Sequence, residues 1–324
     1  MSAAVDEVAR MRLEQVQAQL DRHATRADRR RVDVGAAAGA VDSVAALERL
    51  LGGAITRVEP PPPAELQWTE ADGRVRARVT ECAECCSTGS LPPAAGEFYA
   101  RCSPCRCAKL RTFAKLVNKA RLPVEPRDAR LERWDVDRPG DGAADGNARR
   151  RAIRSVNAFL AQPMGGLLLS GAPGLGKTHL MVGIGRRLIH AGHEVLYASW
   201  LDVADQAKRS LRTSEGPGSV TDALVEVPIL LLDEVGAGQG TDFERALVNR
   251  LIVDRFAARR PMVLATNYML SRPTLPSGQP DGATEILSDR IGAHAADRLR
   301  SMLVAVTLTG RSQRESAASA PEVA

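Results

Sequence analysis

From residue 149 onward, short apolar runs alternate with helical segments: Gly166–Ser170, Glu194–Ser199, Pro228–Asp233, Met262–Thr266 and Leu303–Leu308. Continuous apolar strands separated by helices predict a mostly parallel, five-stranded sheet covered on both faces, an α/β fold. Upstream the pattern is helical. Ala3–Arg31 contains neither Pro nor Gly and sets Val5, Val8, Met11 or Arg12, Val16 and Leu20 near helical spacing before the basic run Arg29–Arg31. A second short helix is expected over Asp42–Leu51, capped by Asp42 or Ser43 and stopped by Gly52, and Pro60–Pro63 follow as a stiff spacer. Helical periodicity returns over Ala108–Arg121 through Leu110, Phe113, Leu116 and Val117, and Pro123 and Pro126 end it. Asp137–Asn147 strings turn formers together with almost nothing apolar, so a surface loop is expected there.

These changes of pattern divide the 324 residues into five parts. An N-terminal helical region with its Pro-rich spacer covers 1–80, and a cysteine-rich module with a following helix covers 81–121. A linker over 122–148 leads to the α/β domain, 149–314, and a short disordered tail is expected over 315–324.

Composition narrows the class. Apolar residues are 44% and charged residues 26%, ordinary globular usage that argues against a disordered chain, collagen or a coiled-coil rod. No apolar stretch reaches the roughly 18 residues of a membrane span. Met1–Arg12 mixes acids and bases where a secretory signal would be apolar, so a cytoplasmic location is expected. The net charge of +5 permits a polyanionic partner, while 3% aromatic residues are too few for binding that relies on base stacking.

The sharpest chemical signal is Gly171, Ala172, Pro173, Gly174, Leu175, Gly176, Lys177 and Thr178, a G-x-x-x-x-G-K-T run. It lies directly after the apolar run Leu167–Leu169 and directly before a helical stretch, the context such a motif requires. Glycines let successive backbone N–H groups point at phosphate oxygens, and the following helix adds its positive end. Lys177 would reach the β and γ phosphates of ATP, and Thr178 would offer its hydroxyl to Mg²⁺. Pro228–Glu234 supplies the complementary element, an apolar strand that delivers Asp233 to its C-terminal end. Asp233 would hold the metal, and Glu234 would orient and deprotonate the attacking water. Asn267, just past the run Met262–Thr266, could hydrogen-bond the γ-phosphate or that water, although a turn-forming Asn after a strand is also common.

Together these strings resemble the AAA+ ATPases, and more narrowly the bacterial helicase loaders of the DnaC and DnaI type and the related IstB-like ATPases. Gly176–Leu180 (GKTHL), Leu231–Gly236 (LLDEVG), Thr241–Arg255, Leu264–Tyr268 (LATNY), Asp297–Leu299 (DRL) and Gly310–Arg314 (GRSQR) follow the family order. Lys119–Trp134 resembles the linker that these loaders place before the ATPase. The resemblance adds His179 to the nucleotide loop and implies Arg298 as a sensor. It also implies an arginine inserted into a neighbouring subunit's ATP site. At that position this chain has His294, and Arg290, one helical turn earlier, is the candidate replacement.

All six cysteines fall between Cys82 and Cys107. Cys82, Cys85, Cys102 and Cys105 form two C-x2-C pairs separated by 16 residues, a spacing suited to tetrahedral Zn²⁺. Cys86 and Cys107 are spare, and because some loaders use a C-x-C second pair, Cys105 with Cys107 stays open as an alternative. The resemblance implies an ATPase that loads a replicative ring helicase. The N-terminal region would grip the helicase, while ATP-bound AAA+ domains self-assemble and engage single-stranded DNA. An IstB-like transposition helper and a non-hydrolysing nucleotide-switched adaptor are the alternatives.

Overall fold

The protein, described as a computed structural model, is seen over residues 64–91, 102–127, 129–138, 141–212 and 216–312. The helices expected over 3–31 and 42–51, the tail over 315–324 and Arg314 lie outside the described residues. All the described residues fall in one compact unit that begins at Pro62.

An antiparallel hairpin opens the unit, β1 (Leu66–Ala71) with β2 (Arg74–Val79), paired from Leu66↔Val79 to Ala71↔Arg74. Its two-residue turn is Asp72–Gly73, with φ of 53° and 65°. A turn of this left-handed kind matches the twist of a hairpin and favours Asp-Gly. A second small pair, β3 (Ser90–Leu91) with β4 (Ser103–Pro104), carries the cysteine loops. Then come α1 (Arg106–Ala120) and, after a short 3-10 turn at Leu131–Arg133, α2 (Ala143–Ala161).

α2 overturns the second half of the surface loop expected over 137–147, from Ala143 onward, while residues 137, 138, 141 and 142 stay outside the helix. The turn formers there are an N-terminal cap, with Asp145 accepting from the Gly142 N–H at 3.2 Å. Four residues after Asp145, Arg149 pairs with Asp141, and both side chains are almost completely buried. Ala148, Ala152, Val156 and Phe159 then form the helix's inward stripe.

The central sheet holds β5 (Gly166–Ser170), β6 (Val195–Ser199), β7 (Ile229–Asp233), β8 (Met262–Thr266) and β9 (Val304–Thr307). Its order is β6-β7-β8-β5-β9, and every pairing is parallel. The strands lie within a residue or so of their expected bounds. The connecting helices are α3 (Lys177–His190), α4 (Trp200–Ser210), α5 (Gly216–Glu226), α6 (Asp242–Ala257), α7 (Leu287–Ile291) and α8 (Ala293–Met302).

Strand alternation splits the core into two layers. Leu167, Leu169, Ile229, Leu231, Val263 and Ala265 face one way, against α2 and α3. Leu168, Leu230, Leu232, Met262 and Leu264 face the other way, against α4, α6 and α8. Ala77 of the hairpin and Ala114, Val117 and Ala120 of α1 belong to the first layer. The hairpin and α1 are therefore packed against the sheet, while the buried cysteines form a small cluster of their own. One cation is locked within the second half: Arg255, fully buried, donates to the carbonyls of Leu224, Val227, Pro228 and Pro261. Burial first, and then the nearby Arg260 charge, push it down to about 9, which leaves it protonated at neutral pH.

Candidate functional site

Parallel strands bring their C-terminal ends to one edge, and the residues singled out from the sequence gather there. The Gly171–Thr178 loop leaves β5, Asp233 and Glu234 end β7, and Asn267 follows β8. Because β8 lies between β7 and β5, Asn267 stands between the phosphate loop and the acid pair, and it is exposed.

The loop turns into α3 at Lys177, so the positive N-terminal end of that helix adjoins the loop. Lys177 is buried, and its Nζ donates to the carbonyls of Gly171 at 2.7 Å and Ala172 at 2.8 Å. The loop thus folds around the ammonium group. At Gly174 the φ is +80°, and a Cβ would stand 2.1 Å from Ser312 Oγ. Only glycine lets the post-β9 segment approach the loop so closely. Ser312 belongs to the Gly310–Arg314 string, and the same segment is fastened to α2: Arg311 N donates to Asp141 at 3.2 Å and Thr309 Oγ1 to Asp145 at 2.6 Å. His179 packs near the Trp134 ring, 5.9 Å between centroids, with Nε2 3.2 Å from the Arg130 carbonyl, so it braces the linker against α3.

The acid pair is held by its neighbours. Thr178 Oγ1 donates to Asp233 Oδ2 at 2.8 Å, and the Glu234 N–H donates to Asp233 Oδ1 at 2.8 Å. Asp233 is buried, whereas Glu234 is exposed and sits in the left-handed region with φ 58°. That backbone turn directs the second carboxylate away from the first, and Ser199 Oγ donates to Glu234 Oε2 at 3.0 Å. Tyr197 OH donates to Asp233 Oδ2 at 3.1 Å. Burial, reinforced by the Asp233 charge, raises the Tyr197 phenol well above its usual range, so the hydroxyl keeps its proton and acts as a donor. Neither Tyr197 nor Ser199 was singled out from the sequence. The available signal was a tyrosine inside an apolar strand, whose hydroxyl must find a partner when buried.

The arginines fall differently. Arg290 is not one turn from His294 on a shared helix, because the chain breaks at Gly292 between α7 and α8. Its side chain, 12% exposed, pairs with Glu285 at 3.1 Å, donates to the carbonyls of Gly236 and Gly238, and lies over the Tyr268 ring. Arg290 is thus bound within its own chain, to the segment that follows the acid pair. Arg298 is half-buried on α8.

The cysteine set also differs from the expected one. The thiols brought together are Cys82, Cys85, Cys105 and Cys107, all buried and with every Sγ within 4.8 Å of the others; Cys102 is exposed. Cys105 caps α1 and Cys107 is on its first turn, so the helix start aims both sulfurs inward, while Cys102 precedes β4. A tetrahedral Zn²⁺ with bonds of about 2.3 Å needs sulfurs about 3.8 Å apart. The observed Cys82–Cys105 and Cys85–Cys107 separations are 3.6 and 3.3 Å, so the four thiols are close enough together to share one such ion. Burial opposes the Cys85 thiolate, but the Gly89 N–H and the thiols of Cys107, Cys82 and Cys105 outweigh it and bring Cys85 to about 6. Burial first, and then the thiols of Cys85, Cys105 and Cys82, push Cys107 up to about 12.

A cavity of about 670 Å³ lies elsewhere, between the hairpin, α1 and the C-terminal half of α3, lined by Trp68, Phe113, Leu131, Arg186 and His190 among others. It contains none of the phosphate-loop or acid-pair residues.

The comparisons with known proteins bear on this site. The model of the IstB-like ATP binding protein family matches residues 107–312, well over half of the chain and all of the sheet. The chain belongs to that family. Among curated relatives, this IstB-like chain is 28% identical over 134 residues to the replicative helicase loader DnaC of Escherichia coli K12, covering 41% of this chain and 54% of that one. It is 27% identical over 156 residues to the uncharacterized protein YdaV of the same organism, covering 47% and 60%. The chain thus spans about half the length of the curated relatives it matches. Solved structures of the DnaC helicase loader and of DnaI align over 56% and 59% of the chain, and over 97% and 94% of theirs. Identities are 21% and 22%, with TM-scores of 0.46 and 0.43. With TM-scores this low, the α/β assignment rests on the sheet order and the family match. Among the described residues no helix is long and apolar enough to cross a membrane.

Proposed function

We propose that this IstB-like chain is an ATP-hydrolysing helicase loader. The observation that carries this reading is the convergence of Lys177, Thr178, Asp233 and Glu234 at one edge of a parallel sheet. The loop would cradle the phosphates of ATP through its N–H groups and Lys177. Thr178 and Asp233, already hydrogen-bonded to each other, are the residues that would hold Mg²⁺, which when bound neutralises charge on the phosphates. Glu234 takes a proton from a water whose oxygen attacks the γ-phosphorus, and the bond to the ADP oxygen breaks as phosphate forms. Asn267, which follows β8, would orient that water, and Arg298 would serve as the sensor. For Arg290 to reach a neighbouring subunit, its contacts to Glu285, Gly236 and Gly238 must open, so assembly and the segment behind the acid pair are coupled.

Two features favour the loader over an IstB-like transposition helper: the likeness to DnaC, and the cysteine cage, whose Cys82, Cys85 and Cys105 precede the family match. A Zn²⁺ held by Cys82, Cys85, Cys105 and Cys107 would fix the region that contacts the replicative ring helicase. Single-stranded DNA would be held mainly by arginine–phosphate contacts, with steep salt dependence and little sequence preference.

The test is co-purification of the full chain with the replicative helicase of its host, with and without ATP. ATP-dependent capture is the expected result. No capture, together with ATP-dependent retention on duplex DNA, would favour the transposition helper.

A further inference from the structure

We propose that Tyr197 is a positioning residue for Asp233, held in turn by Arg74 of the hairpin, an assignment that rests on the nucleotide site proposed above. Tyr197 lies in the middle of β6 and is 7% exposed. Its register partner on β7 is Leu231, and that of Ser199 is Asp233, so Tyr197 reaches Asp233 diagonally across the strand pair. Three donors converge on the Asp233 carboxylate. Thr178 Oγ1 and Tyr197 OH meet at Oδ2, at 2.8 and 3.1 Å, and the Glu234 N–H reaches Oδ1 at 2.8 Å. Thr178 and Glu234 have duties of their own at the phosphate edge. Tyr197 alone among these donors lies off the phosphate loop and is turned wholly to Asp233.

The ring itself is clamped from the hairpin side. The Arg74 guanidinium lies 5.5 Å from the Tyr197 ring centroid. It is fixed there by the Arg121 carbonyl at 3.3 Å and by Asp202 at 3.3 Å. Arg74 follows the Asp72–Gly73 turn, and that turn is stitched to the chain after α1 by Val75 N–H to Leu122 O at 2.9 Å and Val124 N–H to Gly73 O at 3.0 Å. A short path of contacts therefore runs from the hairpin through Arg74 and Tyr197 to the metal-side carboxylate. A cation over a ring face also favours a ring held in one orientation, which is what aiming the hydroxyl requires.

A merely structural tyrosine and a positioning one differ in what removal of the hydroxyl changes. Tyr197→Phe keeps the ring, its packing and its contact with Arg74. The measurement is the affinity for a fluorescent ATP analogue with and without Mg²⁺, and the Mg²⁺ concentration at half-saturation, alongside a thermal melt. For Tyr197→Phe the affinity without Mg²⁺ is expected to stay within about twofold of wild type and the Mg²⁺ midpoint to rise about tenfold, the usual scale of one hydrogen bond to a charged group. Arg74→Met, which keeps the aliphatic stem, should move the midpoint the same way by about threefold. A Tyr197→Phe midpoint equal to wild type, or an equal loss of affinity with and without Mg²⁺, would overturn the assignment. A wild-type protein that binds no analogue would overturn the nucleotide site itself.

Discussion

Replacing Glu234 with Gln should lower ATP turnover by about 10²- to 10⁴-fold while leaving nucleotide affinity within about twofold, measured as phosphate release and as calorimetric binding. Gln keeps the size and the oxygen that accepts from Ser199 Oγ, but it cannot take a proton from water. Glu234 is exposed, so its replacement disturbs no packing and the fold should be unchanged. Asp233 provides the contrast. It is buried and hydrogen-bonded to Thr178 and Tyr197, so its loss should weaken metal-dependent binding as well as turnover. Equal turnover by wild type and Glu234→Gln would place the base elsewhere. No turnover by either would make the chain a nucleotide-switched adaptor.

Loss of Cys107 should have an effect as large on the N-terminal side of the protein. Purified wild type is expected to contain one zinc per chain by elemental analysis. Cys107→Ser should lose most of it, whereas Cys102→Ser should keep it. The cluster around these sulfurs is small: Ala64 and the four cysteines, with Val79, Leu91 and Leu110 against them. So little apolar surface cannot order the loops, and structural zinc typically contributes on the order of 10 kcal/mol. Chelation should therefore unfold the 82–107 region, with faster proteolysis there, while the sheet persists. The pH dependence has a definite sign. A thiol must lose its proton to bind, so Cys107, at about 12, releases one on binding at neutral pH. Each such proton weakens affinity about tenfold per unit fall in pH. Cys85 adds to this loss only as the pH falls below about 6.

The five strands of the sheet were legible because a strand buried on both faces has no polar interruptions, and Leu230, Leu231 and Leu232 are the extreme case. The phosphate loop and acid pair were legible because the chemistry demands fixed residues at a strand's end. The hairpin was not. Its signs were the Asp72–Gly73 dipeptide and the alternation of Val75, Ala77 and Val79 with Arg74, Arg76 and Arg78, a weak stripe because its inward residues are small and few. α2 was hidden by a capping sequence that reads as a turn, and its buried Arg149–Asp141 pair gives no periodic signal. The cysteine spacing pointed to a cluster of thiols, and of the two second pairs it left open the structure gathers Cys105 with Cys107. Which of Cys102 and Cys107 points inward depends on where α1 begins, and the sequence placed that start two residues too late. Tyr197 and the confinement of Arg290 depend on contacts across 36 and 54 residues, beyond the reach of local pattern.

The central claim is that Lys177 and its loop, with Thr178 and Asp233, form the binding site for a nucleoside triphosphate. Titration calorimetry of the full chain with a non-hydrolysable ATP analogue and Mg²⁺ tests it most directly. One site per chain is expected for wild type, with affinity reduced at least about a hundredfold in Lys177→Ala, the cost of removing a charged partner of the phosphates. No uptake by wild type, or equal uptake by Lys177→Ala, would contradict it.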